Sequence, residues 1–101
     1  MTQVQPELDQ ETKLEPMYNV VLLDDDHHSY DYVIEMLQKL FGHSHETSFR
    51  MACEVDAAGR VIVGTYPLER AEVKRDQIHS YGADWRIPQC AGSMSAALEP
   101  V

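Results

Sequence analysis

The chain has 101 residues, a formal net charge of −9 and a pI ≈ 4.8, a length that suits one compact domain with a single core. At 44% hydrophobic and 25% charged it has the composition of a folded protein rather than a disordered one. Eight lysines and arginines against 17 acids leave no basic surplus for phosphates, which excludes nucleic acid and favours cationic ligands.

Residues 1–16 are polar and carry Pro6 and Pro16, so a mobile N-terminal tail is expected there. The stretch has neither the basic start nor the apolar core of a signal peptide. No apolar run approaches the roughly 20 residues of a membrane helix. The sequence therefore predicts a cytoplasmic protein with no membrane partner. Cys53 and Cys90 lack paired spacing and read as free thiols of a reducing compartment.

Order is expected to begin at Tyr18-Asn19-Val20-Val21-Leu22-Leu23, a β-branched and aliphatic run of strand length. A polar loop, Asp24-Asp25-Asp26-His27-His28-Ser29, follows. Tyr32, Val33, Met36, Leu37, Leu40 and Phe41 then recur at helical spacing, predicting a helix from about Tyr30 to Phe41. Ser29 suits its N-cap and Gly42 its left-handed stop. A second helix fits Ser44 to about Ala57, with Phe49, Met51, Ala52 and Val55 as its apolar positions. Gly59 turns the chain into a strand over Arg60 to Tyr66, and Pro67 opens a third helix running to about Tyr81. Pro88 to Gly92 is expected as a short final strand, and residues 94–101, which show no clear period, as a C-terminal tail. With no internal repeat, the order β-α-α-β-α-β predicts an α+β domain over residues 17–93.

Several of these segments together resemble one family. Tyr18 to Asp26, Val33 and Leu37-Gln38-Lys39-Leu40-Phe41 are similar to the strand, Asn-Asp-Asp loop and LQKxF helix end of the ClpS family. Gly59-Arg60, Val63-Gly64-Thr65-Tyr66, Ala71-Glu72-Val73-Lys74, Tyr81 and Pro88 resemble its second half. The resemblance implies a three-stranded antiparallel sheet packed with three helices. It also implies a monomeric adaptor with no cofactor and no catalysis. Such an adaptor would bind the N-terminal segment of a substrate protein and deliver it to the N-terminal domain of a ClpA- or ClpC-type unfoldase. The tail would then be needed for delivery but not for binding.

Position by position, the resemblance makes Asp24, Asp25 and Asp56 the readers of a free α-amino group. An ammonium is a triple donor that needs converging acceptors, and carboxylates supply the stronger, charge-assisted kind. Asp24 and Asp56 stand where the family usually has Asn and His, which turns the site into an anionic cage. Repulsion in the empty cage should raise at least one carboxyl pKa. The side-chain pocket would be formed by Leu22, Asp26, His28, Tyr30, Val33, Ala52 and Val55. Tyr30 replaces a usual Met with a rigid ring. Ala52 replaces another Met, removing three heavy atoms that crowd a ligand's Cβ. N-terminal Ile and Val should therefore be accepted along with Leu, and Phe, Tyr and Trp bound less well. Glu69, Glu72 and Lys74 on the third helix would meet the unfoldase.

The blander readings are a solvated acidic loop, an ordinary core stripe and a solvated helix face. A metal-binding loop built from Asp24 to His28, with Asp56 as a distant ligand, is a further alternative. So is a ClpS-like binder of N-terminal residues that has no unfoldase partner. A response-regulator receiver is rejected, because no strand separates the first two helices. An enzyme is the least supported class, since no serine or cysteine has an identifiable base. His43, His45 and His79 read as surface histidines.

Overall fold

The computed structural model describes residues 15–101, so nearly all of the expected N-terminal tail lies outside the described residues. The first apolar run forms β1 (Met17–Leu23), in which Val20, Val21 and Leu22 are fully buried. Consecutive strand residues point to opposite faces, so burial of all three requires cover on both sides. Helix α1 (Tyr30–Phe41) starts where Ser29 Oγ accepts the Tyr32 N–H and ends at Gly42, whose φ of 72° is left-handed. Its inner stripe is Tyr32, Val33, Met36 and Leu37.

Helix α2 (His45–Ala58) is capped by Ser44 and stopped by Gly59 in the same way. Ser48, Ala52 and Val55 form its buried stripe, at the i, i+4, i+7 spacing. Phe49, expected among the core positions, is 45% exposed because it falls a quarter-turn outside that stripe. Strand β2 (Arg60–Pro67) buries Val61 and Val63 by strict alternation. Helix α3 (Leu68–His79) follows at once, with Pro67 at its N-cap, and ends two residues before the expected Tyr81. It buries only Ala71 and Ile78 fully, and most of its surface is polar.

The expected final strand over Pro88 to Gly92 is instead a run of turns. The strand is β3 (Ser95–Pro100), inside the segment expected as a tail. Met94 and Ala96 are buried and Leu98 is partly buried, a period of two that packs on the core while Ser95 faces outward. Strand β3 pairs antiparallel with β1, Leu22 opposite Ala96 and Val20 opposite Leu98. The sheet order is β2-β1-β3, fully antiparallel, and the element order β-α-α-β-α-β is the expected α+β arrangement. No helix among the described residues is long and apolar enough to cross a membrane.

The segment between α3 and β3 is held by one buried acid. Asp84 is 1% exposed, and its carboxylate accepts the Ser29 N–H at 2.7 Å, the Arg86 N–H at 3.1 Å and Arg86 Nη1 at 3.1 Å. Arg86 continues to Glu35 on α1, with Nη2 at 2.6 Å from Oε2. Burial alone would raise the Asp84 pKa, but the hydrogen bonds from Ser29 and Arg86 outweigh it and hold the carboxyl at about 2. Against an unfolded value of 3.8, the folded state gains stability above pH 4 that is lost as pH falls toward 2. The loss should be about 2 kcal/mol. Urea unfolding between pH 5 and pH 2 is expected to show this drop in the wild type and a shallower one in Asp84→Asn. Equal pH slopes in the two proteins would contradict it.

Candidate functional site

Strand β1 ends where the Asp24 N–H donates to the Gly59 carbonyl at 3.1 Å. That single bond sets the start of the acidic loop beside the last turn of α2, where Asp56 sits. The chain then turns sharply. Asp26 has a φ of 61°, left-handed geometry that aspartate tolerates better than most residues, and its N–H bonds Asp24 Oδ1 at 3.3 Å. The carboxylates of Asp24, Asp26 and Asp56 each place an oxygen within 4.8 Å of the others. They stand at one side of a cavity of about 200 Å³ whose apolar lining is Val33, Ala52, Val55 and Met94.

One neutral donor meets this cluster. Tyr30 donates its hydroxyl to Asp56 Oδ2 at 2.6 Å, and that bond is the main reason its phenol is pushed up to about 12. The Tyr30 ring lies at the cavity, with Phe49 6.2 Å away, centroid to centroid, on the exposed side. The Asp26 carboxyl is held above its ordinary value chiefly by the neighbouring Asp24 charge. Three carboxylates and one phenol line the same cavity as four apolar side chains. Such a lining suits a cationic group attached to a hydrocarbon side chain.

Six of the expected site residues converge here with Asp24 and Asp56: Asp26, His28, Tyr30, Val33, Ala52 and Val55 all line the cavity beside them. Asp25 does not. Its carboxylate accepts the His27 N–H at 3.0 Å and faces His28 Nδ1 at 2.9 Å, turning into a second cavity. Leu22 is also absent from the lining, because its side chain points from β1 into the sealed core. Met94 was missed. Its signal is the period of two that it shares with Ala96 and Leu98, the same pattern that marks β3.

His28 reaches both cavities but does not join the carboxylates. Its Nε2 lies 2.8 Å from the Gly92 carbonyl and its ring 4.5 Å from that of Tyr32. The alternative of an acidic-plus-imidazole metal loop is therefore split: the clustered ligand atoms are the carboxylate oxygens of Asp24, Asp26 and Asp56, without His27 or His28. Nor are all the other histidines free at the surface. His43 Nε2 meets the Val63 carbonyl, and His79 Nε2 accepts the Ala96 N–H at 3.0 Å, tying α3 to β3. Sequence reasoning also found no base beside a cysteine, yet Cys90 Sγ lies 3.3 Å from His28 Nε2.

On α3, Glu69 is exposed and Glu72 half-buried. Lys74 is engaged within the protein. Its ammonium donates to the Leu40 carbonyl and stands 5.3 Å from the Phe41 ring centre.

The arrangement is that of a small domain with an acidic cavity, and comparison with known proteins makes it specific. The chain matches the family model described as "ATP-dependent Clp protease adaptor protein ClpS" over residues 13–87. It is 38% identical over 74 residues to the ClpS adapter protein of Nautilia profundicola, a match covering 73% of this chain and 76% of that one. The structure of Agrobacterium tumefaciens ClpS2 bound to L-phenylalaninamide superposes with a TM-score of 0.74 at 24% identity. That match covers 86% of this chain and 99% of the other, and it shows a shared fold. The chain belongs to the ClpS family of Clp protease adaptors, and like them it is not an enzyme.

The crowding of carboxylates is directly observable. In a carbon-detected NMR titration, Asp26 is expected to protonate at a higher pH than an ordinary aspartate. Asp24→Asn should move it back down by removing the main repulsion. An Asp26 that titrates identically in both proteins would mean the two side chains are not neighbours.

Proposed function

We propose that the cavity holds the first residue of a substrate protein, with its α-ammonium among Asp24, Asp26 and Asp56 and its side chain against Val33, Ala52, Val55 and Met94. The observation that carries this reading is the adjacency of the two halves: one cavity of about 200 Å³ is lined both by an acceptor cluster within 4.8 Å and by Val33, Ala52, Val55 and Met94. A metal ion would use the carboxylates alone and leave the apolar half without a purpose. An N-terminal residue uses both. The phenylalaninamide carried by ClpS2 is likewise a free amine beside a side chain, bound by a protein of the same fold.

Specificity follows from the walls. Ala52 leaves space beside the ligand's Cβ, so branched Ile and Val should enter with Leu. Tyr30, fixed by Asp56, narrows the mouth with a rigid ring and should disfavour Phe, Tyr and Trp. The protein acts as a monomeric cytoplasmic adaptor, handing bound chains to a ClpA- or ClpC-type unfoldase through α3. Glu69 and Glu72 are the acids available there, whereas Lys74 would have to leave the Leu40 carbonyl to take part.

Fluorescence anisotropy with peptides differing only in their first residue tests the reading. Leu, Ile and Val peptides are expected to bind, and acetylation of the amino terminus should abolish binding. Ala52→Met should weaken Ile and Val by about 10- to 200-fold, the range for a few atoms' misfit in an apolar pocket, with less effect on Leu. Binding that survives acetylation would overturn the ammonium role, and a hundredfold preference for Phe over Ile would overturn the assignment of the walls. In a separate assay with an unfoldase N-terminal domain, Glu69→Lys should weaken association and leave peptide affinity unchanged.

A further inference from the structure

A second cavity, about 220 Å³, lies on the other side of His28 and is lined by Asp25, His27, His28, Cys90, Gly92 and Ser93 among others. Three of these form a chain of contacts: Cys90 Sγ to His28 Nε2 at 3.3 Å, and His28 Nδ1 to Asp25 Oδ1 at 2.9 Å. A thiol, an imidazole that can take its proton and a carboxylate that orients the imidazole are the parts of an activated sulfur nucleophile. The imidazole is held rigidly, its side chain only 3% exposed and its ring against Tyr32.

Backbone groups hold the sulfur and the ring in place. The Asp84 N–H donates to Cys90 Sγ at 3.3 Å, the kind of contact that stabilises a thiolate. His28 Nε2 also faces the Gly92 carbonyl at 2.8 Å, and the Cys90 thiol donates to the same oxygen at 3.3 Å, so one carbonyl holds sulfur and ring nitrogen side by side.

We propose that Cys90 is a reactive thiol, activated by His28 and Asp25, that is modified by small neutral hydroperoxides. The reagent class follows from charge and size. The protein carries a net charge of −9 and Asp25 flanks the thiol, which disfavours anionic disulfides, while a neutral peroxide enters a cavity of this volume. In the step, the thiol proton passes to His28 Nε2 and the sulfur attacks one peroxide oxygen. An S–O bond forms and the O–O bond breaks. Sulfur is oxidised to the sulfenic acid, the distal oxygen is reduced, and after taking the proton from His28 it leaves as water from hydrogen peroxide or as the alcohol from an organic hydroperoxide. The modification is stoichiometric.

Cys53, the other cysteine, serves as an internal control. Peptide mapping by mass spectrometry after timed exposure to iodoacetamide, and separately to hydrogen peroxide with dimedone as the sulfenate trap, reads both thiols in one sample. Cys90 is expected to react about tenfold or more faster than Cys53 with both reagents. His28→Gln should slow Cys90 by about 100-fold, the scale of a lost general base. Asp25→Asn, a milder change that keeps the ring, should slow it severalfold. An unchanged Cys53 rate in both variants reports an intact fold and makes any loss at Cys90 specific. A Cys90 no faster than Cys53, or one indifferent to both substitutions, would overturn the activation. Fast alkylation without a dimedone adduct would overturn the peroxide assignment.

Discussion

The carboxylate of Asp84 is the contact on which both cavities depend. It lies in the irregular segment between α3 and β3, yet it accepts the N–H of Ser29, the cap of α1 and the residue that closes the acidic loop. Its own N–H reaches Cys90, and through Arg86 it is linked to Glu35 on α1. One buried charge thus fixes where the loop ends, where the first helix starts and how the late segment folds across them. Such a charge is expensive to bury alone and is tolerated because each oxygen has donors. Removing it would leave the Ser29 and Arg86 donors unsatisfied and release the loop from one end, while the Asp24 to Gly59 bond still held the other.

The site held this way carries unrelieved charge. Three aspartates converge on a surface where the Tyr30 phenol and the Asp26 N–H are the neutral donors that meet them, and Asp26 also adopts a left-handed backbone. Repulsion between carboxylates and a disfavoured φ both destabilise the empty site. A cation reverses the electrostatic part, so the arrangement spends folding stability on affinity for positive charge. Tyr30 moderates this by occupying one Asp56 oxygen. On the proposed reading, an ammonium would meet Asp26 and the remaining oxygens of Asp24 and Asp56. Asp56 and Tyr30 therefore work as a pair, since the hydroxyl that the ring carries is bonded to the Asp56 carboxylate.

Much of this was legible in the chain. The strand run from Arg60 to Tyr66, the helical stripe through Val33, Met36 and Leu37, and the caps Ser29 and Gly42 are local signals, and the structure follows them; Ser44, read as the first residue of its helix, is the cap, and Gly59, read as a turn, is the helix stop. Strand β3 was hidden because its core positions are filled by Met94, Ala96 and Leu98, and alanine and proline have weak strand preference. Its strandedness comes from pairing with β1, a partner more than 70 residues away in sequence. The exchange of Asp25 for Asp26 at the carboxylate cluster was equally out of reach. Which of three consecutive aspartates turns toward the cavity is decided by the left-handed turn at Asp26 and by the pull of His28 on Asp25. The contact of Cys90 with His28 joins residues 62 apart and has no local signature.

The central claim is that an ammonium and its adjoining side chain occupy the space between the Asp24–Asp26–Asp56 cluster and the apolar wall. Amide and methyl NMR mapping with leucinamide, beside its N-acetylated form, measures this most directly. The account predicts shifts confined to Asp24, Asp26, Asp56, Val33, Ala52 and Met94 with the free amine, and none with the acetylated one. Shifts centred on α3, or equal responses to the two ligands, would contradict it.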